Sequence, residues 1–402
     1  MTGGRFPEGF RWGVATAAHQ IEGSNTANDW WAFESRPDSS VAEPSGEACD
    51  SWNRWSEDHD LVASLGVDDY RFSIEWSRIE PEPGGWSDDA MDHYVRISED
   101  LRARGIGPVV TFHHFTTPQW VTELGGWENP ETANLFAGFC QRAAARLDGL
   151  MVRACTINEP NIVALMGWGL GVFPPARRDR WAVGKVTEVF VDAHRKAAAA
   201  IRAGAPDIPV GLTLSMSEWV AVGGGEERLE RYRARMEDVF LQATTGDDFV
   251  GVQTYSRVRV GPDGLLEPEP GVETLIMGYE YWPQALEATL RRAWEVTGGA
   301  TPLLVTENGI GTDDDRQRIA YVNDALAGVL RVIADGIRVD GYTYWSLLDN
   351  FEWALGYAPE FGLHSVDRAT FRRTPKPSAS WFAEVVRNNA LSAAPEAQSV
   401  DG

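Results

Sequence analysis

The sequence predicts a single (β/α)8 TIM barrel, and three observations lead there. Eight short apolar runs of β character recur along the 402 residues. Helix-length amphipathic stretches lie between them, and no Ser/Pro/Gly-rich linker divides the chain. Barrels of alternating strands and helices run long as one domain, so length alone does not argue for two or three. Hydrophobic residues make up 43% of the chain, enough for one large core.

In chain order, the strands are read near 11–16, 68–74, 107–113, 152–157, 208–214, 249–254, 302–306 and 340–345. Helical patterns occupy 54–65, 90–104, 133–147, 186–203, 226–242, 282–296 and 315–335. Within 133–147, Leu135, Phe136, Phe139, Cys140, Ala143 and Leu147 share one helical face. Residues 24–50 read as a long polar loop after the first strand. Residues 257–275, with Gly-Pro-Asp-Gly and Glu-Pro-Glu-Pro, read as another after the sixth. Loops that follow strands sit at the catalytic mouth of such a barrel. The barrel is expected to span 1–388, and the small polar residues 389–402 to form a flexible tail.

The formal net charge is −23, from 36 Lys plus Arg against 59 Asp plus Glu. A surface of that sign repels phosphate backbones and anionic lipid, which argues against nucleic-acid and membrane partners. Cys49, Cys140 and Cys155 are far apart and odd in number, and read as small buried residues in a reducing compartment. The opening MTGGRFPEGF has no apolar signal core, and no run reaches membrane-spanning length. A soluble cytoplasmic protein is expected. The 17 Trp residues suit core filling, and also stacking on the C–H faces of sugars.

Polar and aromatic residues gather just after the strand ends: Gln20, Arg71, His114, Asn158 with Glu159, Tyr255, Glu307 and Trp345. A single Glu there reads as a solvated or capping residue. Two, after strands four and seven, can aim from opposite sides of the mouth at one point. Such a pair suits glycosidic cleavage, with one carboxyl protonated to serve the leaving oxygen and the other ionised to attack. Arg71 lies inside the apolar Tyr-Arg-Phe-Ser-Ile strand, where an unpaired guanidinium would be costly, so it is expected to hold one Glu ionised. Tyr255 is placed to donate to the same carboxylate. His113 and His114 are adjacent on a strand and point to opposite faces, and no His-Glu-x-x-His occurs, so neither metal nor cofactor is expected.

The segments FPEGFRWGVATAAHQIEG (6–23), YRFSIEWSRI (70–79), TINEP (156–160), VTENG (305–309) and GYTYWSLLDNFEWALGY (341–357) together resemble glycoside hydrolase family 1, from Phe6 to about Ala379. The resemblance implies a retaining exo-β-glycosidase, foremost a β-glucosidase, acting on β-linked saccharides or glycosides. It implies Glu307 as nucleophile and Glu159 as acid/base, with Asn158 on the sugar 2-hydroxyl. Gln20, His114, Glu352 and Trp353 would bond the other hydroxyls, Trp345 would form the platform beneath the sugar, and Arg71 and Tyr255 would orient Glu307. Phe115, Asn161 and Trp168 are the residues expected at the aglycone site, with Asn161 favouring a polar aglycone.

The sequence departs from the family pattern at His19, Phe115, Asn161, Ser215, Gln253, Thr254 and Glu360, none of them in the carboxylate pair. Three other readings use the same scaffold. A 6-phospho-β-glycosidase would want basic or small residues around the sugar 6-position, where Glu352 is expected. A transglycosidase would share the Glu pair. An inactive sugar-binding protein would tend to have lost a Glu.

Overall fold

The computed structural model describes residues 4–391. Each of the eight apolar runs becomes a strand: β1 Arg11–Ala15, β2 Asp69–Ser73, β3 Gly107–His113, β4 Arg153–Asn158, β5 Val210–Ser215, β6 Phe249–Gln253, β7 Leu303–Asn308 and β8 Val339–Trp345. They close in the order β1-β8-β7-β6-β5-β4-β3-β2, every neighbour parallel. The strands read as nearly unbroken apolar runs because both faces are covered, one by the barrel interior and one by the helices outside. The helix Thr132–Arg146 buries Phe136, Phe139, Cys140 and Ala143 as its spacing predicts. Burial stabilises each large side chain of this kind by about 1.5–3 kcal/mol.

Register places the strand ends against one another. Ala15 of β1 pairs with Trp345 of β8 on one side and with Arg71 of β2 on the other. Asn158 pairs with Thr213, and Gln253 with Glu307, each next to a register shift in its ladder. Such irregularities re-aim side chains at the rims of barrels.

The two loops carry more structure than expected. Within 24–50, Asn28 caps a short helix Asp29–Glu34 by accepting from the Trp31 backbone N–H at 2.8 Å. Beyond β6, Arg257–Val260 pairs with Glu218–Ala221 as a small parallel ribbon beside the barrel. The stretch 226–242 is broken into Glu226–Arg233, a π turn Ala234–Asp238 and Val239–Ala243. Glu237, on the π turn, accepts from Ser217 N at 3.0 Å and Trp219 Nε1 at 2.6 Å.

The two ends of the described chain meet. Phe6 N donates to Asn389 O at 2.9 Å, Leu391 N to Gly4 O at 3.2 Å, and Trp12 Nε1 to the Asn389 side chain at 3.0 Å. Asn389 has φ 47°, a left-handed cap that Asn tolerates, after the last helix Pro377–Asn388. Residues 389–391 are therefore docked, and the rest of the expected tail, 392–402, lies outside the described residues. Among the described residues, no helix is long and apolar enough to cross a membrane.

Candidate active site

At the mouth, the buried Arg71 reaches across from β2. Its Nη1 donates to Glu307 Oε1 at 2.6 Å and its Nη2 to Asn158 Oδ1 at 2.5 Å. Tyr255 OH donates to Glu307 Oε2 at 2.6 Å, so each oxygen of this carboxylate has its own donor. Tyr255 is fixed in turn by Tyr321, whose hydroxyl donates to the Tyr255 carbonyl at 2.5 Å. Removing one partner would leave a buried charge uncompensated, typically a loss of about 3–5 kcal/mol.

Glu159 is held differently. It caps the helix Pro160–Ala164 with φ 43° and ψ 57°, a left-handed backbone. For a residue other than glycine this stores about 1–3 kcal/mol of strain. Phe115 (φ 71°) and Trp353 (φ 52°) line the same cavity in the same region. Glu159 is buried, and its Oε1 meets no protein donor. Burial pushes its carboxyl well above the usual range, and the nearby Glu307 charge adds to this; Ser215 and Arg71 offset only part. Burial also raises Glu307, but the Arg71 charge and the Tyr255 and Arg71 hydrogen bonds pull it back. Of the two, Glu159 is the stronger holder of a proton and Glu307 of the negative charge.

Asn158 lies between them as an oriented amide. Its Oδ1 also accepts from Gln253 Nε2 at 2.9 Å and Thr213 Oγ1 at 3.1 Å. That leaves Nδ2 toward His114 Nε2 at 3.3 Å. Burial, then the charge of Arg71, pushes the His114 imidazole well below its usual range, so it is neutral. With Nε2 accepting from Asn158, the hydrogen sits on Nδ1, which has no protein partner and is free to donate to a ligand. Gln20 donates from Nε2 to Phe351 O at 2.8 Å and Asn350 Oδ1 at 3.1 Å, and reaches Glu352 Oε2 at 3.4 Å. Its buried Oε1 is left unpaired. The ring of His114 lies nearly parallel to those of Trp345 and Trp353, at centroid distances of 5.8 and 6.2 Å.

Gln20, His114, Phe115, Asn158, Glu159, Tyr255, Glu307, Trp345, Glu352 and Trp353 all line one cavity of about 350 Å³. Arg71 stands behind it. Asn161 and Trp168 do not line it, which corrects the sequence expectation for them. Asn161 is buried and donates from Nδ2 to Ser215 O at 2.8 Å. Trp168 is buried and donates to Glu128 at 2.7 Å. Closeness in sequence to Glu159 misleads here, because a helix begins at Pro160 and turns neighbouring side chains to different sides. Gln253, which braces Asn158, was read only as a departure from the family pattern, and Thr213, which braces it too, was missed. So were Ile162, Met166, Met216, Val258 and Met277, which also line the cavity. Helical spacing offered a signal for two of them: 159, 162 and 166 fall on one face. Among the described residues, no cluster of three His, Cys, Asp or Glu could hold a metal ion.

Two results are expected from this geometry. Tyr255→Phe removes the donor to Glu307 Oε2, so the acid limb of kcat/KM should move to higher pH and the optimum rate should fall about 10- to 100-fold. An unmoved acid limb would show that Tyr255 does not support the charge. Glu352 is pushed up from 4.5 to about 8, mainly by burial and then by the Glu307 charge. A carboxyl raised in the folded state stabilises that state below its unfolded pKa, and the contribution fades as pH rises through the folded value. Glu352→Gln should therefore gain unfolding free energy relative to the parent as pH rises from about 4.5 to 8, by a few kcal/mol at most. A pH-independent difference in calorimetry would count against it.

The chain is similar to known proteins along nearly its whole length. The family profile described as glycosyl hydrolase family 1 matches residues 2–259 and 265–391. Beta-glucosidase A of Thermotoga maritima is 33% identical, with 96% of this chain and 99% of the relative covered. The crystal structure of a beta-glycosidase designated BGL167 shares 46% identity at a TM-score of 0.90, covering 97% of this chain and 99% of that one. The beta-glycosidase from Pyrococcus horikoshii is 32% identical at a TM-score of 0.90, covering 97% and 96%.

Proposed function

The chain belongs to glycosyl hydrolase family 1 and is a retaining β-glycosidase, and from that premise we propose that Glu307 is its nucleophile and Glu159 its acid/base. The observation that carries this reading is the unequal support of the two carboxyls. Arg71 and Tyr255 each hold one oxygen of Glu307, whereas Glu159 keeps an unpartnered oxygen and a raised pKa. In the first step a Glu307 oxygen attacks the anomeric carbon, the bond to the aglycone oxygen breaks, and Glu159 gives that oxygen its proton. In the second, the Glu159 carboxylate takes a proton from water. The water oxygen attacks the same carbon from the other face and releases Glu307, so the sugar leaves in the β configuration.

Glucose is the sugar in this reading, supported by the relatives named beta-glucosidase. Gln20 and Glu352 stand 3.4 Å apart in the cavity and are the pair assigned to the outer hydroxyls. A carboxyl there disfavours a 6-phosphorylated sugar. The three cysteines are free and buried, which suits a reducing compartment, and we place the enzyme in the cytoplasm. Its strongly negative surface makes nucleic acid and anionic membrane poor partners. An aryl glucoside assay with a 2-fluoroglucosyl trap tests the assignment. The expected result is a covalent adduct on the peptide containing Glu307, and an adduct elsewhere would overturn it.

A further inference from the structure

Among the described residues, every exposed large hydrophobic side chain lies on a stretch that links a barrel strand to the next outer helix, or in the first turn of that helix. Such stretches form the face of the barrel that carries the mouth. Six of the seven fall into two groups.

The first group follows β3 and β4. Trp181, in the opening turn of the helix Arg180–Gly204, is 92% exposed. Leu170 before it is 49% exposed, and Leu124 on the loop after β3 is 54% exposed. An ion pair between Arg177 and Glu128, at 3.0 Å, ties the two loops together. Residues 177–185 set four cations, Arg177, Arg178, Arg180 and Lys185, against one acid, Asp179. All five are exposed, and Asp179 accepts from the Trp181 backbone N–H at 2.9 Å.

The second group follows β6. Residues 262–280 hold five acids and no Lys, Arg or His. Leu265 and Leu266 stand exposed beside a turn in which Gly261 N donates to Gly264 O at 2.8 Å. Ile276 stands exposed in a turn closed by Gly278 N donating to Leu275 O at 2.8 Å. Arg257 engages Glu269 and Glu280, each at 2.5 Å, whereas Asp263, Glu267 and Glu273 are exposed.

β4 and β6 are both neighbours of β5, so the two groups occupy one sector of the rim. One group is basic and apolar, the other acidic and apolar, on a chain with a formal net charge of −23. Apolar side chains gathered in the open mark contact surfaces, and Trp and Arg are frequent anchors of such contacts. The chemistry that fits the first group is a surface with acids around exposed aliphatic side chains, and each chain carries one. Salt screens repulsion between the two acidic bodies beyond about 8 Å, while charges buried at the contact are screened much less.

We propose that this sector of the rim is a self-association surface. The basic group around Trp181 of one chain docks on the acidic group around Leu265 and Ile276 of a second copy. A two-fold arrangement makes this contact twice, because each chain presents both halves.

Analytical ultracentrifugation of the purified full chain, from about 0.1 to 100 µM at about 0.15 M salt, reads the association. The parent should pass from the mass of one chain to that of two across this range. The mass of one chain throughout would overturn the proposal. Trp181→Ser should raise the dissociation constant about 30-fold, the loss typical of an aromatic anchor, and an unchanged constant would count against this surface. Two double variants identify the partners. Arg178→Glu with Arg180→Glu turns the first group acidic, and Asp263→Lys with Glu267→Lys turns the second basic. Each alone should remain a monomer with a melting temperature near that of the parent, because like charges then face each other. Mixed in equal amounts, the two should form a dimer, since acid meets base at both contacts. That recovery requires both variants to be folded. A mixture that stays monomeric, or a double variant that dimerises as the parent does, would refute the pairing.

Discussion

Glu307→Gly should lose at least about 10⁴-fold in turnover of aryl β-glucosides, because the covalent route disappears with its nucleophile. Azide should restore much of it. The shortened side chain leaves room for the anion beside Arg71 and Tyr255, the groups that supported the lost carboxylate. Azide then attacks the anomeric carbon directly as the aglycone departs, and one displacement in place of two gives the α-glucosyl azide. Proton NMR of the product reads this without ambiguity. A β-azide, or ordinary activity without azide, would move the nucleophile elsewhere.

Glu159→Ala should behave in the opposite way. Its effect should depend on the leaving group, small for dinitrophenol and about 10²- to 10⁴-fold for alcohols that need a proton. Formation of the glycosyl-enzyme would remain fast with the activated substrate, while its hydrolysis would slow for want of a base. Azide should accelerate that second step and give the β-glucosyl azide. The pH profile adds a signature: the basic limb, which in the parent reports deprotonation of the raised Glu159 carboxyl, should vanish. Equal losses for dinitrophenyl and alkyl glucosides would instead mark Glu159 as a structural residue.

The barrel was legible because its strands are buried on both faces and so read as apolar runs; every strand lies within about two residues of its expected place. Local breaks were less legible. The π turn at Ala234–Asp238 interrupts a stretch whose apolar spacing looked continuous. The inner cavity was legible from residues at strand ends, since the strand fixes where each side chain points. The rest of its lining was not. Asn161 stands where the family commonly has Trp and Trp168 lies close in sequence to Glu159, but the helix that begins at Pro160 decides which neighbours face inward. Gln253 reads in the sequence only as a departure from the family pattern, because its work is to brace Asn158 across the sheet, and only register reveals it. It shows one departure from the family pattern absorbed locally: an amide at that position donates to Asn158 Oδ1 alongside Arg71.

The meeting of Gly4 with Leu391 beside Trp12 makes the barrel, in effect, a ring. A ring has no first strand: closure depends on which strands are neighbours, and the place where synthesis starts is incidental. Joining the ends through a short linker and opening the chain at Gly223–Gly224, an exposed turn between the ribbon and the helix Glu226–Arg233, would give a permuted enzyme with every strand pairing intact. The carboxylates would then reach the same mouth from halves of the polypeptide made in reverse order.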